Sequence, residues 1–259
     1  MIKKLVAIIL AGGIEQGELA EILDERNLKP LLIINGKPMI TRIIECIEQV
    51  DIIKKIYIVG RPEIQGFVKF TKPSQFLVNE KSLLDGLKLV YSNLAEDEEP
   101  IILSDDIPLI TPEVIKKFIK IINSLNADCC YVLIPKTAME KEFPNSTRTF
   151  FSLKEGKFCG ADIGYLTQSG FKEAGWIIDQ LYSRRKKTGT LVKLLGLKLT
   201  FKFIFKIINL PEIEKRIQEI VKISVKFLIM DEPIIGMDID KIIHYKKVLE
   251  YLERRKGNG

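Results

Sequence analysis

The chain has 259 residues, of which 46% are hydrophobic and 29% are charged, and its formal net charge is +6. This length is enough to bury a full core, and the four cysteines lack the spacing of a metal site. No run reaches the roughly 20 uninterrupted apolar residues of a membrane-spanning helix. The short apolar N-terminal run ends in Gly-Gly and not in a cleavage site, so we expect a cytoplasmic protein.

The first predicted element is a buried parallel strand that ends at Gly12 and Gly13. The residues before them are apolar and rich in β-branched side chains, which is typical of such a strand. Glycines allow backbone N–H groups to approach a phosphate or a base without an intervening Cβ. Glycine pairs are also common in ordinary turns, so the pair alone indicates either a nucleotide-binding loop or a simple connection.

A second motif begins at Lys29, sixteen positions after Gly13. It has the sequence Lys-Pro-Leu-Leu-Ile-Ile-Asn-Gly-Lys-Pro-Met-Ile and follows a polar loop. Together with Leu-Ala-Gly-Gly over 10–13, this motif resembles the nucleotidyltransferases of the MobA-like NTP transferase family. The molybdenum-cofactor guanylyl- and cytidylyltransferases belong to that family.

The resemblance implies roles for the residues of both motifs. Leu10, Ala11, Gly12 and Gly13 would form the loop that wraps the NTP, and Lys29 would bind its phosphates as a catalytic residue. Many members of the family carry an Arg shortly after the glycines, but this loop has no basic residue at that position. Binding of the triphosphate is therefore expected to depend on Lys29, on backbone amides and on a metal ion.

The next segment is predicted to contain a helix over 38–49 and strands over 55–60 and 76–78. Asn79 and Ser82 follow the third strand, just before another helix. In the family, a stretch of this form lies near the base and the ribose, so the resemblance implies that Asn79 and Ser82 bind nucleotide. The alternative is that these residues only cap an amphipathic helix.

Asp105 and Asp106 follow an apolar strand, and they are the first candidates for metal ligands. Ligands in open parallel sheets bind just outside the carboxyl ends of the strands, and Mg²⁺ prefers carboxylate oxygens. Thr111 as N-cap and Pro112 at the first helical position predict that a helix begins directly afterwards. The family form is Asp-x-Pro-Leu-x-Thr-Pro-Glu, which assigns Asp106 as a catalytic ligand of Mg²⁺ and Asp105 as an additional carboxylate. The alternative is that the aspartate caps a turn.

Arg148 follows another predicted strand, over 127–134, and is a candidate for binding the acceptor. The segment that it begins looks like an uncharacterised branch of the same family, and this likeness covers about 1–250. A guanidinium binds phosphate or carboxylate through two hydrogen bonds, so we expect Arg148 and Asp162 at the acceptor, whereas a surface salt bridge is the alternative for Arg148. The branch has Gly-Gly-Asn where this chain has Gly-Ala-Asp ending at Asp162, which exchanges a hydrogen-bond donor for a negative charge.

The positive charge is concentrated in residues 182–226, which hold twelve Lys or Arg and three Glu, a net charge of +9, while the rest of the chain carries −3. Lysines recur there among bulky apolar residues, which predicts helices with one polar stripe. We expect a single nucleotidyltransferase domain over 1–259 with a basic helical insertion over 167–222. The insertion would either pack on the core or lie on an anionic membrane through 184–208. The uneven charge argues against a nucleic-acid partner.

Asp238 and Asp240 follow a last predicted strand, over 225–231, and complete the candidate metal ligands. The family has an Asp-(Val/Ile)-Asp motif near the metal at this point. We expect the two carboxylates to face opposite sides of the extended chain, so that one of them, with Asp240 as first choice, binds Mg²⁺ and the other caps the terminal helix. The family motif ends in an Asp where this chain has His244, which we expect to be an ordinary helix residue.

These elements predict a three-layer α/β/α fold with a mostly parallel, Rossmann-like sheet of the GT-A-like, nucleotide-diphospho-sugar transferase type. The expected reaction is Mg²⁺-dependent transfer of a nucleoside monophosphate from an NTP to a small phosphorylated or lipid-linked acceptor, with release of pyrophosphate. One alternative is a GT-A-like glycosyltransferase that uses a sugar nucleotide, although Lys-Pro after Leu-Ala-Gly-Gly argues against it. Another is a degenerate member that binds a nucleotide without turnover.

Overall fold

A mixed sheet forms the centre of the molecule, and the computed structural model describes residues 4–184, 196 and 199–257. The strands are β1 (Lys4–Ala11), β2 (Ile33–Ile34), β3 (Lys37–Pro38), β4 (Lys55–Gly60), β5 (Ser74–Val78), β6 (Glu98–Ser104), β7 (Cys129–Pro135), β8 (Phe151–Leu153), β9 (Gly156–Leu166) and β10 (Val225–Ile229). The main sheet has the order β10-β7-β9-β6-β1-β4-β5, with β8 paired to β9, while β2 and β3 form a separate ribbon.

Helices cover both faces of this sheet. They are α1 (Met39–Glu48), α2 (Leu83–Asn93), α3 (Pro112–Asn123), α4 (Lys136–Glu142), α5 (Gln168–Arg184), α6 (Leu210–Val221) and α7 (Ile242–Gly257). Alternate residues of β1 point to opposite faces. Ala7 and Ile9 pack in the same core as α1, α3 and α7, whereas Val6 and Ile8 pack with α2, α5 and α6. The arrangement confirms the predicted three-layer fold with a mostly parallel sheet.

The direction of β9 determines which residues lie at the functional edge. β1 pairs in parallel with β4 and β6, and β4 pairs in parallel with β5, so the carboxyl ends of these strands point the same way. β9 runs antiparallel to both β6 and β7. Its first half therefore lies at the edge where β6 ends.

Most of the predicted elements agree with the structure within a few residues. The strand over 55–60 and the helix near 38–49 are present, and Thr111 caps α3 by accepting a hydrogen bond from the Val114 N–H at 3.5 Å. In the predicted insertion, α5 and α6 are helical, whereas 185–195 and 197–198 lie outside the described residues. The single-domain boundary remains a prediction. No helix in the described part of the chain is long and apolar enough to cross a membrane.

Candidate active site

The candidate site lies at the edge of the sheet where β1, β4 and β6 end. Because β1 and β6 pair in parallel, residues 12–13 and 105–106 leave the sheet side by side. On the other side of β6, Ile163 of the antiparallel strand β9 pairs with Leu103, which places Asp162 at the same edge. Ligands of open α/β sheets bind at this kind of edge.

Three carboxylates from two distant parts of the chain meet here. One side-chain oxygen each of Asp106, Asp238 and Asp240 lies within 4.8 Å of the other two. Backbone pairing holds the two segments together, since the Ile239 N–H donates to the Asp106 carbonyl at 3.0 Å. Ile239 itself is fully buried in the core.

The expectation that only one of Asp238 and Asp240 faces the site is therefore wrong. Residues two apart on an extended chain lie on the same side, and the residue between them points the other way. Ile239 is that residue, and its burial turns both carboxylates toward Asp106.

Lys29 connects the glycine loop to these carboxylates. Its ammonium lies 2.7 Å from Asp106 Oδ2 and 2.5 Å from Asp240 Oδ1, and its backbone N–H donates to the Gly13 carbonyl at 3.3 Å. Burial alone would lower the pKa of Lys29, but the charges of Asp106 and Asp240 outweigh burial and raise it. Burial likewise opposes ionisation of Asp240, but hydrogen bonds from Asp238 and Lys29 lower its pKa to about 2. The lysine is thus charged and held by two carboxylates.

Asp238 also forms a buried acidic pair with Asp162. Arg148 forms an ion pair with Asp238, and their side chains are only 12% and 8% exposed, so Arg148 does not form a surface salt bridge. Burial and the charge of Asp162 raise the pKa of Asp238 well above its usual range. Burial and the charge of Asp106 raise the pKa of Asp162 to about 7, although Arg148 opposes this shift. One guanidinium therefore offsets part of the charge of two neighbouring carboxyl groups whose pKa values are both raised.

The charge and the donor set of this site fit a hard divalent cation. Asp105, Asp106, Asp162, Asp238 and Asp240 all contribute carboxyl groups, and Asp106 Oδ1 and Asp105 Oδ2 are buried without a hydrogen-bond partner. Buried polar atoms in native proteins are normally paired, so an unpartnered carboxylate oxygen is a candidate ligand for a cation. An all-oxygen donor set suits Mg²⁺ or a similar ion.

The glycine loop leaves open space beside the metal candidates. Both Gly12 and Gly13 are exposed, and a Cβ added at either one would meet no atom within 4 Å. By contrast, a Cβ at Gly60 would lie 2.4 Å from the Ala11 carbonyl oxygen, so that glycine is required by strand packing. Ala11 is buried at the end of β1, and Leu10 precedes it at intermediate burial. The space at the two exposed glycines is wide enough for a ligand to approach the backbone.

Asn79 and Ser82 both take part in capping helix α2. The Ser82 hydroxyl accepts a hydrogen bond from the Asp85 N–H at 3.1 Å, and the Asp85 carboxylate accepts one from the Ser82 N–H at 3.3 Å. Asn79 Nδ2 donates to the Ser82 carbonyl at 3.1 Å. The capped-helix alternative is thus present in the structure, while a contact of these two residues with nucleotide stays a prediction.

Arg61 is a basic residue of this edge that the sequence reasoning missed. It follows Gly60, which pairs with Ala11 in the parallel register of β1 and β4, so Arg61 lies beside the start of the glycine loop. Its Nη1 is 3.4 Å from Glu80 Oε1, but its buried Nε has no hydrogen-bond partner. The signal in the sequence was a basic residue directly after the second predicted strand.

His244 lies in a helix as expected, but the sequence reasoning missed that its side chain is buried against the site. Its Nδ1 accepts a hydrogen bond from the Asp240 N–H at 3.2 Å, which fixes the backbone that carries the Asp240 carboxylate. Burial lowers the pKa of the imidazole, as does the nearby charge of Arg148. The spacing of four residues from Asp240 was the available signal, since it places His244 in the first turn of α7.

Comparison with known proteins agrees with this site. The sequence profile described as the MobA-like NTP transferase domain matches residues 7–150, a range that includes the glycine loop, Lys29, Asp106 and Arg148. Among curated proteins, no significant match to the chain is found.

Solved structures share the fold over almost the whole chain. A hypothetical transferase from Thermus thermophilus is 27% identical with a TM-score of 0.81, over 94% of this chain and 99% of that one. A CMP:2-keto-3-deoxy-manno-octonic acid synthetase in complex with CTP is 16% identical with a TM-score of 0.61, over 98% and 100%. The 4-diphosphocytidyl-2C-methyl-D-erythritol synthase of Anaerococcus prevotii is 12% identical with a TM-score of 0.60, over 97% of both chains. The likeness to the last two proteins shows that this chain shares their fold.

Proposed function

We propose that this chain, which belongs to the MobA-like NTP transferase family and is a nucleotidyltransferase, moves a nucleoside monophosphate from an NTP to a phosphate-type acceptor. The reaction would require bound Mg²⁺ and would release pyrophosphate. The observation that carries this proposal is the position of Lys29, which lies between Asp106 and Asp240 and is hydrogen-bonded through its backbone to the glycine loop. A cation and a group of carboxylates beside an open glycine loop are what a metal–triphosphate complex needs.

The triphosphate would bind to the loop after β1. The backbone amides at Gly12 and Gly13 are free of side-chain obstruction, and Lys29 supplies a positive charge next to them. Arg61, at the end of the neighbouring strand, supplies the second cation in place of the arginine that the loop lacks. Nucleotidyl transfer depends mainly on positioning and on stabilisation of negative charge, so these groups are sufficient without a nucleophilic side chain.

Asp106, Asp238 and Asp240 would hold the metal ion. A bound Mg²⁺ would neutralise part of the negative charge of the phosphates. His244 keeps the Asp240 backbone in place through its hydrogen bond, and the Ile239–Asp106 backbone pairing keeps the two acidic segments together. The chain therefore contributes a rigid set of oxygen ligands.

The acceptor would lie on the side of Arg148 and Asp162. Arg148 is positioned beside the carboxylates by its ion pair with Asp238, and a guanidinium at this place can also bind an anionic group. An acceptor with a phosphate, either small or lipid-linked, matches that charge. Because two of the distant structural relatives are named for cytidine nucleotides, CTP is the first nucleotide to test.

A thermal-shift panel tests the proposal directly. Wild-type protein and Asp106→Asn are heated with Mg²⁺ and each of ATP, CTP, GTP and UTP, and with UDP-, GDP- and CDP-linked sugars. A ligand at about 100 times its Kd stabilises the native state by about 2.7 kcal/mol. The proposal requires a shift with at least one NTP that is lost in Asp106→Asn, followed by pyrophosphate release in an acceptor screen. A shift with sugar nucleotides alone would instead favour the glycosyltransferase.

A further inference from the structure

The most exposed large apolar side chains in the described part of the chain lie together where a helical segment over 199–204 ends in a turn. Phe201, Ile204, Phe205 and Ile207 are 60%, 66%, 58% and 53% exposed, and they lie within seven residues. The rings of Phe201 and Phe205 are 4.3 Å apart. We call these four residues the apolar turn. A cluster of exposed apolar side chains is typical of an interaction surface, whereas single exposed apolar residues are not.

The apolar turn is held in a defined conformation by the body of the protein. Phe203, between the exposed residues, packs into a buried cluster with Phe158 and Ile208. Backbone hydrogen bonds at 2.9 to 3.1 Å close the turn, including one from the Phe205 N–H to the Phe201 carbonyl. The Lys154 N–H donates to the Ile208 carbonyl at 2.8 Å, which fixes the turn to the β8–β9 hairpin. The apolar side chains are therefore presented to solvent by a folded support.

Two exposed lysines lie at this surface, which belongs to the basic part of the sequence. Lys206 lies within the apolar turn and is exposed, and Lys154 is exposed on the hairpin that the turn contacts. The sequence over 182–226 carries a net charge of +9, while the rest of the chain carries −3. Apolar side chains with exposed lysines beside them match the interface of an anionic bilayer, which offers acyl chains below negatively charged headgroups.

We propose that the apolar turn and its lysines dock this protein reversibly on anionic lipid membranes. The aromatic and aliphatic side chains enter the headgroup boundary, and the lysines contact the lipid phosphates. The two contributions together are needed, because neither a small apolar surface nor a basic patch gives stable membrane binding by itself. This binding does not depend on the proposed nucleotidyl transfer.

Vesicle sedimentation tests the proposal with the full chain. Large unilamellar vesicles of phosphatidylglycerol and phosphatidylcholine in equal amounts are compared with vesicles of phosphatidylcholine alone, at low and at high salt. The expected result is at least tenfold stronger partitioning onto the anionic vesicles, with a decrease at high salt. The absence of binding to anionic vesicles at low salt would overturn the proposal.

Two double variants separate the apolar turn from general surface hydrophobicity. Ile204→Ser/Phe205→Ser is expected to weaken partitioning at least tenfold, whereas Ile52→Ser/Ile229→Ser, which changes residues 46% and 48% exposed elsewhere, stays within twofold of wild type. Circular dichroism and the Tm verify that both variants fold. Unchanged partitioning of the first variant contradicts the proposal. So does a wild-type dimer in light scattering that becomes monomeric in this variant, because a second copy would then cover the turn.

Discussion

The Lys29 ammonium lies 2.7 Å from Asp106 Oδ2, and this contact joins the loop after β1 to the end of β6. The two residues are 77 positions apart in the sequence, and parallel pairing of β1 and β6 brings their segments together. A lysine in this position serves two needs. It neutralises the carboxylates when no metal is bound, and it stands beside the open glycine loop where a triphosphate would enter.

Replacement of Asp106 by Asn is expected to lower the rate of pyrophosphate release by at least a hundredfold, because it weakens the binding of the metal ion that would stabilise the developing negative charge, and loss of one such charge-stabilising group has an effect of about 10²–10³. The side chain keeps its size, so the fold is expected to be maintained. Steady-state assays with the NTP identified by thermal shift provide the measurement. Asp97→Asn is the control, since Asp97 pairs with Lys4 at the far end of β1. A rate within threefold of wild type would show that Asp106 is not a metal ligand of the active site.

Replacement of Lys29 by Met is expected to lower the stability of the metal-free protein by roughly 1–3 kcal/mol, because the carboxylates of Asp106 and Asp240 lose their counter-ion. Mg²⁺ should then stabilise this variant more than it stabilises wild type, since the metal no longer competes with an ammonium group. Urea unfolding with EDTA and with Mg²⁺ measures both effects. Lys37→Met, which breaks an exposed pair with Glu45, is expected to change stability by less than about 0.5 kcal/mol. Equal Mg²⁺ effects in Lys29→Met and wild type contradict this account.

The raised pKa of Asp162 predicts a pH dependence of the metal-free protein. Its pKa is about 7 in the folded state and near the ordinary 3.8 in the unfolded chain, so the folded state binds more protons between these values. Stability contributed by this group therefore falls as pH rises from about 4 to about 7, by at most about 1.4 kcal/mol per pH unit.

Asp162→Asn removes this titration and is expected to flatten the fall in stability between pH 4 and pH 7. Urea midpoints measured in EDTA across this range are the readout, with Asp128→Asn as a second carboxylate variant distant from the metal candidates. Parallel pH profiles for wild type and Asp162→Asn would show that the buried acidic pair does not retain a proton.

His244 is predicted to position Asp240 without touching the ligand. His244→Phe removes the acceptor for the Asp240 N–H and is expected to raise the Mg²⁺ concentration for half-maximal activity by about tenfold, as loss of a supporting hydrogen bond at a metal site commonly does. The KM for the NTP at saturating Mg²⁺ should change much less. Tyr245→Phe, which removes the adjacent hydroxyl bound to the Ile33 carbonyl, is the matched control. A larger change in KM than in Mg²⁺ requirement argues for direct contact with the nucleotide.

Arg61 is predicted to bind the triphosphate in place of the missing loop arginine. Arg61→Met is expected to weaken NTP binding by about tenfold, because one charge-assisted hydrogen bond contributes roughly 1.5 kcal/mol or more. Calorimetric titration of the NTP measures the change, and Arg61→Lys should recover part of it. Arg26→Met is the control, since Arg26 forms an exposed pair with Asp24. An unchanged Kd in Arg61→Met means that Arg61 serves only its contact with Glu80.

Local sequence signals were enough to predict the elements that carry the site. The strand before Gly12, the strand over 55–60 and the Thr111–Pro112 helix start depend on side-chain pattern and capping, which act within a few residues. The place of Asp106 in the site followed from its position at a strand end, and that of Lys29 followed from the resemblance to the family.

The contacts that the sequence did not reveal depend on tertiary geometry. Arg61 lies beside the start of the glycine loop because of the register between β1 and β4, which no local pattern specifies. The joint orientation of Asp238 and Asp240 follows from burial of Ile239 and its hydrogen bond to Asp106. The prediction there was wrong because residues two apart on an extended chain share a face.

The most direct test of the site is calorimetric titration of the NTP into wild type, Asp106→Asn and Asp97→Asn, each with and without Mg²⁺. We expect wild type and Asp97→Asn to bind the NTP with Mg²⁺ and at least tenfold more weakly in EDTA. Asp106→Asn is expected to bind weakly under both conditions. Mg²⁺-dependent binding of equal strength in Asp106→Asn would contradict the assignment of this carboxylate cluster as the metal–nucleotide site.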